Sequence, residues 1–358
     1  MLMPLTGRHI TPRIQRKVFF FANLPTDDPR SIGGATVLAK RIFEFLKKDN
    51  RLQVDHFQIR KRWRPKFQLI DYFKWLFLFP LKIKGYDVVS FHATRDFHPV
   101  IAPFLVLWAK MLGKKVVYHF FGGGFHREYE HYPFFWRFLI RQTVLRSDYL
   151  LFETKELVEY FQHTTKGRVI WFPNSRFPVS NVEVDKPYTR KAVFISRITP
   201  GKGVEEVIRT AELLPADYRV DAYGPLDSKI YRTSPFDNTR VHYRGILPPD
   251  RITSVLSQYD WLLMPTYIPR EGYPGIIIEA LSMAVPVITT RCCVMHEIIR
   301  DGYNGYLVPV KDPQAIVDSI TGTSAEQYRQ LRQNAIESFH RHFNSEKVFG
   351  KLVKAYLE

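Results

Sequence analysis

Two carboxylates, Glu271 and Glu279, stand eight positions apart on either side of the turn Gly272-Tyr273-Pro274-Gly275. Carboxylates accept hydrogen bonds from sugar or ribose hydroxyls. A turn that opens a helix presents unpaired backbone N–H groups and the positive end of the helix dipole, which suit a phosphate. The small Gly275 lets such a ligand approach the backbone. The residue types therefore fit a ligand that is both phosphorylated and polyhydroxylated. A strand-loop-helix unit must position them. Asp260-Trp261-Leu262-Leu263-Met264-Pro265 is a short apolar run ending in proline and reads as a buried strand, while Ile276 to Ala284 is too apolar for a surface loop. Glu279 then lies about one turn inside the helix, with Glu271 across the turn.

A second constellation follows the apolar strand Lys191-Ala192-Val193-Phe194-Ile195. In Ser196-Arg197-Ile198-Thr199-Pro200-Gly201-Lys202-Gly203 two cations stand beside two glycines. Preorganised cations stabilise charge that develops on a departing diphosphate, and they do so without a metal. Solvated loop cations are the plainer reading, and the flanking glycines weigh against it.

Together these residues resemble the group 1 (GT4) family of retaining glycosyltransferases, whose E-x7-E signature matches Glu271 to Glu279. Ala284-Val285-Pro286-Val287-Ile288 and Asp301-Gly302-Tyr303-Asn304-Gly305-Tyr306-Leu307-Val308 match further family landmarks in the right order. The resemblance runs from about 190 to 312 and is only topological before that. It implies a GT-B fold, α/β, with two Rossmann-like domains whose parallel sheets face a central cleft. It also implies that Glu271 orients the donor sugar rather than acting as a covalent nucleophile, that Glu279 holds the ribose, and that Arg197 and Lys202 meet the diphosphate. Tyr273, Pro274 and Gly275 belong to the donor turn on this reading. Gly224 and the turn Arg244-Gly245-Ile246 border the nucleotide base, or serve turn geometry alone.

At 358 residues the chain exceeds the usual limit of one core, so two domains are expected. A polar, proline-containing stretch at 178–190 is the best linker, and it divides the chain into 1–186, 187–344 and a final amphipathic segment, 345–358. In GT-B proteins such a segment crosses back to the first domain. Apolar runs are interrupted by Asp71, Lys74 and Pro80, or by Pro99, Pro103 and Lys110, so none makes a clean membrane span. No signal peptide is evident, and two adjacent cysteines, Cys292 and Cys293, form no disulfide framework. The expectation is a reducing cytoplasm.

The first half reads as a series of strand-loop-helix units. Arg16 to Asn23 is a buried strand, followed by Gly33-Gly34 at the head of a helix reaching about Lys48. A glycine pair more often serves a turn than a ligand; the resemblance places it opposite the donor's phosphates and sugar. Leu52 to Phe57, Asp87 to His92, Lys115 to His119 and Asp148 to Phe152 are further strands. His92 and His119 fall at strand C-terminal ends, where open α/β sheets place their ligand crevice. By resemblance His119 adjoins the donor sugar, beside the loop Phe120-Phe121-Gly122-Gly123-Gly124. His126 and His131 read as structural loop histidines. No histidine or carboxylate spacing suggests a metal, and no cofactor is expected beyond the nucleotide-sugar co-substrate.

The net charge of +17 is uneven: 32 Lys/Arg against 16 Asp/Glu in 1–190, and 20 against 19 in 191–358. A basic first half suits an anionic partner. Within it, Arg60-Lys61-Arg62-Trp63-Arg64-Pro65-Lys66 leads into an aromatic run closed by Lys82 and Lys84. Trp63, Phe67, Trp75, Phe77 and Phe79 would enter a lipid interface if they face outward. The competing reading is an ordinary helix with its aromatics in the core; single-stranded nucleic acid fits poorly, since no nucleic-acid module is recognisable.

The protein expected from these residues and the resemblance is a metal-independent, retaining hexosyltransferase. It takes a UDP- or GDP-linked sugar to a lipid-linked or cell-surface-glycan acceptor, as in polysaccharide biosynthesis, while docked peripherally on an anionic cytoplasmic membrane face. Nucleic acid is not an expected partner. Two alternatives stay open: another enzyme of the same scaffold, such as a nucleotide-sugar epimerase or phosphorylase, and a basic nucleic-acid- or lipid-binding protein without catalysis. The second would require a decayed donor site, yet Arg197, Lys202, Glu271 and Glu279 are all present.

Overall fold

The apolar runs form two parallel sheets. The computed structural model describes residues 15–28, 33–58, 65–93, 97–269 and 271–358, with side chains from residue 70 onward in the segment that begins at 65. The first sheet holds β1 (Arg16–Ala22), β2 (Leu52–Gln58), β3 (Val88–Ala93), β4 (Lys115–Phe120), β5 (Tyr149–Phe152) and β6 (Arg168–Trp171). Its spatial order is β2-β1-β3-β4-β5-β6. The second holds β7 (Lys191–Ile195), β8 (Arg219–Tyr223), β9 (Val241–Tyr243), β10 (Trp261–Met264), β11 (Val287–Thr290) and β12 (Gly305–Val308), in the order β12-β11-β10-β7-β8-β9. Every pairing between these strands is parallel. Parallel strands are buried on both faces, which is why runs such as Val18-Phe19-Phe20-Phe21 do not alternate with polar residues.

Helices cover both faces of each sheet. In the first domain these are α1 (Gly34–Leu46), α2 (Pro65–Lys82), α3 (Ala102–Met111), α4 (Phe125–His131), α5 (Phe134–Gln142) and α6 (Lys155–Gln162). In the second they are α7 (Val204–Leu213), α8 (Ile252–Leu256), α9 (Gly275–Ser282), α10 (Pro313–Thr321) and α11 (Ala325–Ser338), and the last helix is α12 (Ser345–Leu357). Asp312 caps α10, and Ser324 with Gln327 forms a capping box on α11. Helix α5 ends at Thr143, and a short 3-10 turn, Val144–Arg146, follows.

The chain crosses between domains twice, and the crossings touch. Arg176 and Asn344 form a parallel bridge, and the Ser345 and Ser175 hydroxyls lie 3.0 Å apart. Beyond this point α12 packs on the first domain: Val348, Phe349, Leu352 and Tyr356 share a buried core with Val18 and Phe20. Its Tyr356 hydroxyl donates to Ser90 Oγ at 2.7 Å. The linker that precedes β7 is held down by Arg332 of α11, whose guanidinium donates to the Glu183 and Val184 carbonyls.

The aromatic run of α2 divides between the two readings. Phe79 is fully buried in the core with Phe19 and Phe91, and Trp75 packs partly buried against the same core, so neither faces outward. Phe77 does face outward, together with Phe73. Lys61, Arg62, Trp63 and Arg64 lie outside the described residues, as do the side chains of Lys66 and Phe67. No described helix is long and apolar enough to cross a membrane.

Candidate active site

At the C-terminal end of β10 the chain turns through Pro265 and Thr266 into α9, and here the carboxylate and cation constellations meet. Lys202 Nζ donates to Glu271 Oε1, and the Thr266 hydroxyl donates to Glu271 Oε2 at 2.7 Å. The Gly201 carbonyl accepts from the Tyr267 amide at 2.9 Å and lies 3.2 Å from Thr266 Oγ1. The β7-α7 loop is thereby fastened to the β10-α9 loop, and Gly203, at φ +83°, turns the chain into α7. Arg197 is exposed on the same loop and makes no ion pair with a described residue.

Glu279 lies one turn inside α9 and is nearly buried. Arg176 Nε donates to its Oε1 at 2.5 Å, and Arg41 Nη2 of α1 approaches the same oxygen at 4.0 Å. Arg176 also donates to Asn174 Oδ1 at 2.8 Å. A Cβ on Gly275 would collide with the Arg176 guanidinium, so glycine at the helix start admits a cationic group against the backbone. Burial and the neighbouring Arg176 cation lower the pKa of Arg41, and one of its buried nitrogens, Nη1, has no hydrogen-bond partner.

A third carboxylate, Glu153, joins the domains. It sits at the end of β5, buried, and accepts two backbone N–H bonds of 2.7 Å: Oε2 from Gly122 in the first domain and Oε1 from Tyr273 in the second. The Gly123 backbone packs against Glu271 and Gly272. Glu297 of the second domain likewise accepts from the first-turn amides of α6, Lys155 at 2.6 Å and Glu156 at 2.9 Å, while the Tyr273 hydroxyl donates to it. Tyr273 is thus a strut between loops; burial, with Glu297 beside it, raises its pKa.

The other expected residues are dispersed. Gly33 caps α1 and Gly34 opens it, both exposed, on the helix that carries Arg41. Pro274 caps α9 without a side-chain bond. Gly224 ends β8 at φ +141°, where a Cβ would collide with the Ser196 carbonyl, and its amide donates to the Gly245 carbonyl at 2.9 Å. Close strand packing thus accounts for Gly224. Arg244 approaches Asp221 at 3.4 Å, and Ile246 is 70% exposed. His119 is sealed inside the first domain: its Nδ1 pairs with His92 Nδ1 at 3.1 Å and its ring packs on Phe121 and Phe172. Burial pushes its pKa down to about 3, so the ring is neutral, and its buried Nε2 has no partner. Among the described residues no His, Cys, Asp and Glu cluster could hold a metal.

Sequence reasoning missed Glu153, Arg176, Arg41, Glu297 and Thr266. A pH experiment addresses the first. Burial raises the Glu153 pKa, partly offset by its two backbone N–H partners and by Arg176. The folded state therefore binds this proton more tightly than the unfolded chain does. Stability should fall as pH rises from the ordinary carboxyl range through the raised folded pKa. The melting temperature of Glu153→Gln should vary less over that window, with an added loss at every pH from one unsatisfied amide. Parallel wild-type and variant profiles would remove Glu153 as the titrating group.

Residues 189–325 match the family model described as Glycosyl transferases group 1. An uncharacterized glycosyltransferase of Methanocaldococcus jannaschii is 24% identical over 227 residues, 62% of this chain and 63% of the relative. The amylovoran biosynthesis glycosyltransferase AmsK of Erwinia amylovora is 26% identical over 134 residues, 34% of this chain and 33% of its own length. The chain therefore spans under two thirds of each of these curated relatives. Among solved structures, HepE of Anabaena in complex with UDP superposes with a TM-score of 0.70 at 16% identity, covering 95% of this chain and 99% of HepE. Sucrose-phosphate synthase of Thermosynechococcus elongatus does so with a TM-score of 0.69 at 16% identity, covering 96% and 98%. With two six-stranded parallel sheets and a terminal helix that returns to the first domain, the chain has the GT-B fold, and its second domain is the part that matches the group 1 glycosyltransferase model.

Proposed function

We propose that the protein is a retaining glycosyltransferase that moves a hexose-type sugar from a nucleotide-sugar donor to a lipid-linked or cell-surface-glycan acceptor. The observation that carries this reading is the pairing of Lys202 with Glu271 beside the start of α9, whose next turn holds Glu279. A donor diphosphate at that helix start would meet unpaired amides and the Lys202 ammonium, with Arg197 on the same loop free to turn toward it. A ribose diol suits the Glu279 carboxylate, and Glu271, fixed by Thr266, suits a sugar hydroxyl. In the transfer the bond from the anomeric carbon to the diphosphate oxygen breaks and the acceptor oxygen bonds to that carbon. The acceptor proton passes to the departing phosphate. On the proposed retaining course the acceptor attacks from the face the diphosphate leaves, and cations carry the developing charge. The unpaired Nη1 of Arg41 is a group a ligand could satisfy.

HepE has been solved with UDP, and with UDP-glucose, which makes uridine the first base to try. The acceptor class follows relatives named for amylovoran and colanic acid biosynthesis. A lipid-linked acceptor would place the reaction at the cytoplasmic face of the membrane, with the enzyme held peripherally. The test is a thermal-shift panel of UDP, GDP, ADP and their sugars in EDTA, followed by product analysis with the best donor. One nucleotide should raise the melting temperature progressively as its concentration passes Kd. No shift with any nucleotide, or one abolished by EDTA and restored by Mg²⁺, would overturn the donor site as described.

A further inference from the structure

One face of the first domain leaves its apolar side chains in water. Helices α2 and α3 pack together over the sheet face that carries Phe19, Phe91 and Tyr118, α5 joins them through the 3-10 turn Val144–Arg146, and each helix buries apolar side chains on one side, on α5 Ile140 alone, and exposes others. On α3 the inner row is Ala102, Leu105, Val106 and Ala109; the outer is Phe104, Leu107, Trp108 and Met111, with Met111 67% exposed. On α2 the outer row is Ile70, Phe73, Phe77 and Leu81 at helical spacing, with Phe73 64% exposed. On α5 it is Phe134, Phe135 and Phe138, with Phe134 83% exposed. The opposite sheet face, by contrast, is closed by α1 and α12. Adjacent exposed apolar rows on three neighbouring helices mark an interaction surface rather than the scattered apolar residues of an ordinary exterior.

The charges on the same helices select the occupant. Across α2, α3 and α5 the sequence carries six cations, Lys66, Lys74, Lys82, Lys110, Arg137 and Arg141, against the single acid Asp71; of the six, Lys110 is paired with Asp148 at 2.6 Å. A second copy of the chain would use the same patch on both sides of a twofold interface and would bring like charges together. An anionic lipid interface has no such conflict. Aromatic and aliphatic side chains enter the acyl boundary while long basic side chains reach back to the headgroups. We propose that the outer face of α2, α3 and α5 docks on the surface of an anionic bilayer, with the helices lying in its plane. The docking extends the reading of a membrane-held transferase to a defined surface. It is also joined to the cleft along the chain, because the Gly122-Gly123-Gly124 loop against Glu271 and Gly272 leads into α4, which α5 follows. A lipid-linked acceptor would enter from the docked side.

The test is cosedimentation of the full chain with phosphatidylcholine vesicles, with and without phosphatidylglycerol. Wild type should pellet with the anionic vesicles and much less with neutral ones or at high salt. The combined substitution Phe134→Ser, Phe135→Ser, Phe138→Ser removes only outer-row side chains and should reduce partitioning about tenfold or more. Lys74→Glu with Lys82→Glu and Arg141→Glu should do the same for anionic vesicles alone. Each variant should keep the wild-type thermal shift with UDP. Equal pelleting of wild type and the serine variant would overturn the docking face. So would a wild-type protein that stays in the supernatant and sizes as a dimer that the serine variant dissolves. Loss of docking with an intact UDP shift refutes this surface alone, whereas docking without a UDP shift refutes the donor reading alone.

Discussion

Replacing Lys202 by alanine is expected to lower turnover of a nucleotide-sugar donor by about 10²- to 10³-fold, the scale of removing one preorganised group that stabilises transition-state charge. The ammonium is mostly buried and paired with Glu271. It is thus held in place before any donor arrives, and holding charge ready is what makes such a group effective. Arg197 is exposed and unpaired among the described residues, so it must be ordered by the ligand itself; Arg197→Ala should cost less turnover and more donor affinity. Lys202→Ala also leaves Glu271 with Thr266 as its remaining partner, so a lower melting temperature is expected alongside the catalytic loss. Steady-state kinetics separates the two, because a merely less stable enzyme keeps its kcat below its melting range. Full turnover by Lys202→Ala would remove this lysine from the mechanism.

That pair was legible in the sequence because both partners belong to local motifs, each on a loop announced by glycines and an apolar strand. The strands themselves were legible for a related reason: a parallel strand buried on both faces is apolar throughout, and β10 is the four-residue run Trp261–Met264. Other parts had no local signature. Glu153 lies 120 residues before the Tyr273 amide it accepts from, and Arg176 lies 103 residues before Glu279. Each becomes part of the site only through the packing of one domain on the other. His119 shows the reverse. Its position at the end of β4 suggested a group open to the cleft, and the structure closes it over with His92, Phe121 and Phe172. The run 67–81 was ambiguous because its aromatics supply both rows of one helix, Phe79 inward and Phe77 outward, two positions apart. Composition cannot divide them; the register of α2 against β1 and β3 does.

Glu279→Ala should be the most destabilising single change at the site, because its carboxylate is the counter-charge for two arginines drawn from elsewhere in the chain. The Arg176 and Glu279 side chains are only 15% and 10% exposed, and Arg41 already has an unpaired buried nitrogen. Removing one member of a buried pair leaves an uncompensated charge, at a cost of about 3–5 kcal/mol. Removing both leaves only Arg41 without its counter-charge. The double variant Glu279→Ala, Arg176→Ala should therefore recover part of the loss, a coupling that urea denaturation of the two single variants and the double resolves. Arg176→Ala alone relieves the crowding of Arg41 by a like charge and leaves Glu279 its Arg41 neighbour, so it should cost less than Glu279→Ala. Nucleotide affinity gives an independent readout. Both variants that lack Glu279 should lose UDP binding if this carboxylate holds the ribose, whereas Arg176→Ala should retain it. Strictly additive stability losses would deny the ion pair its structural role, and undiminished UDP affinity in Glu279→Ala would deny the carboxylate its ligand.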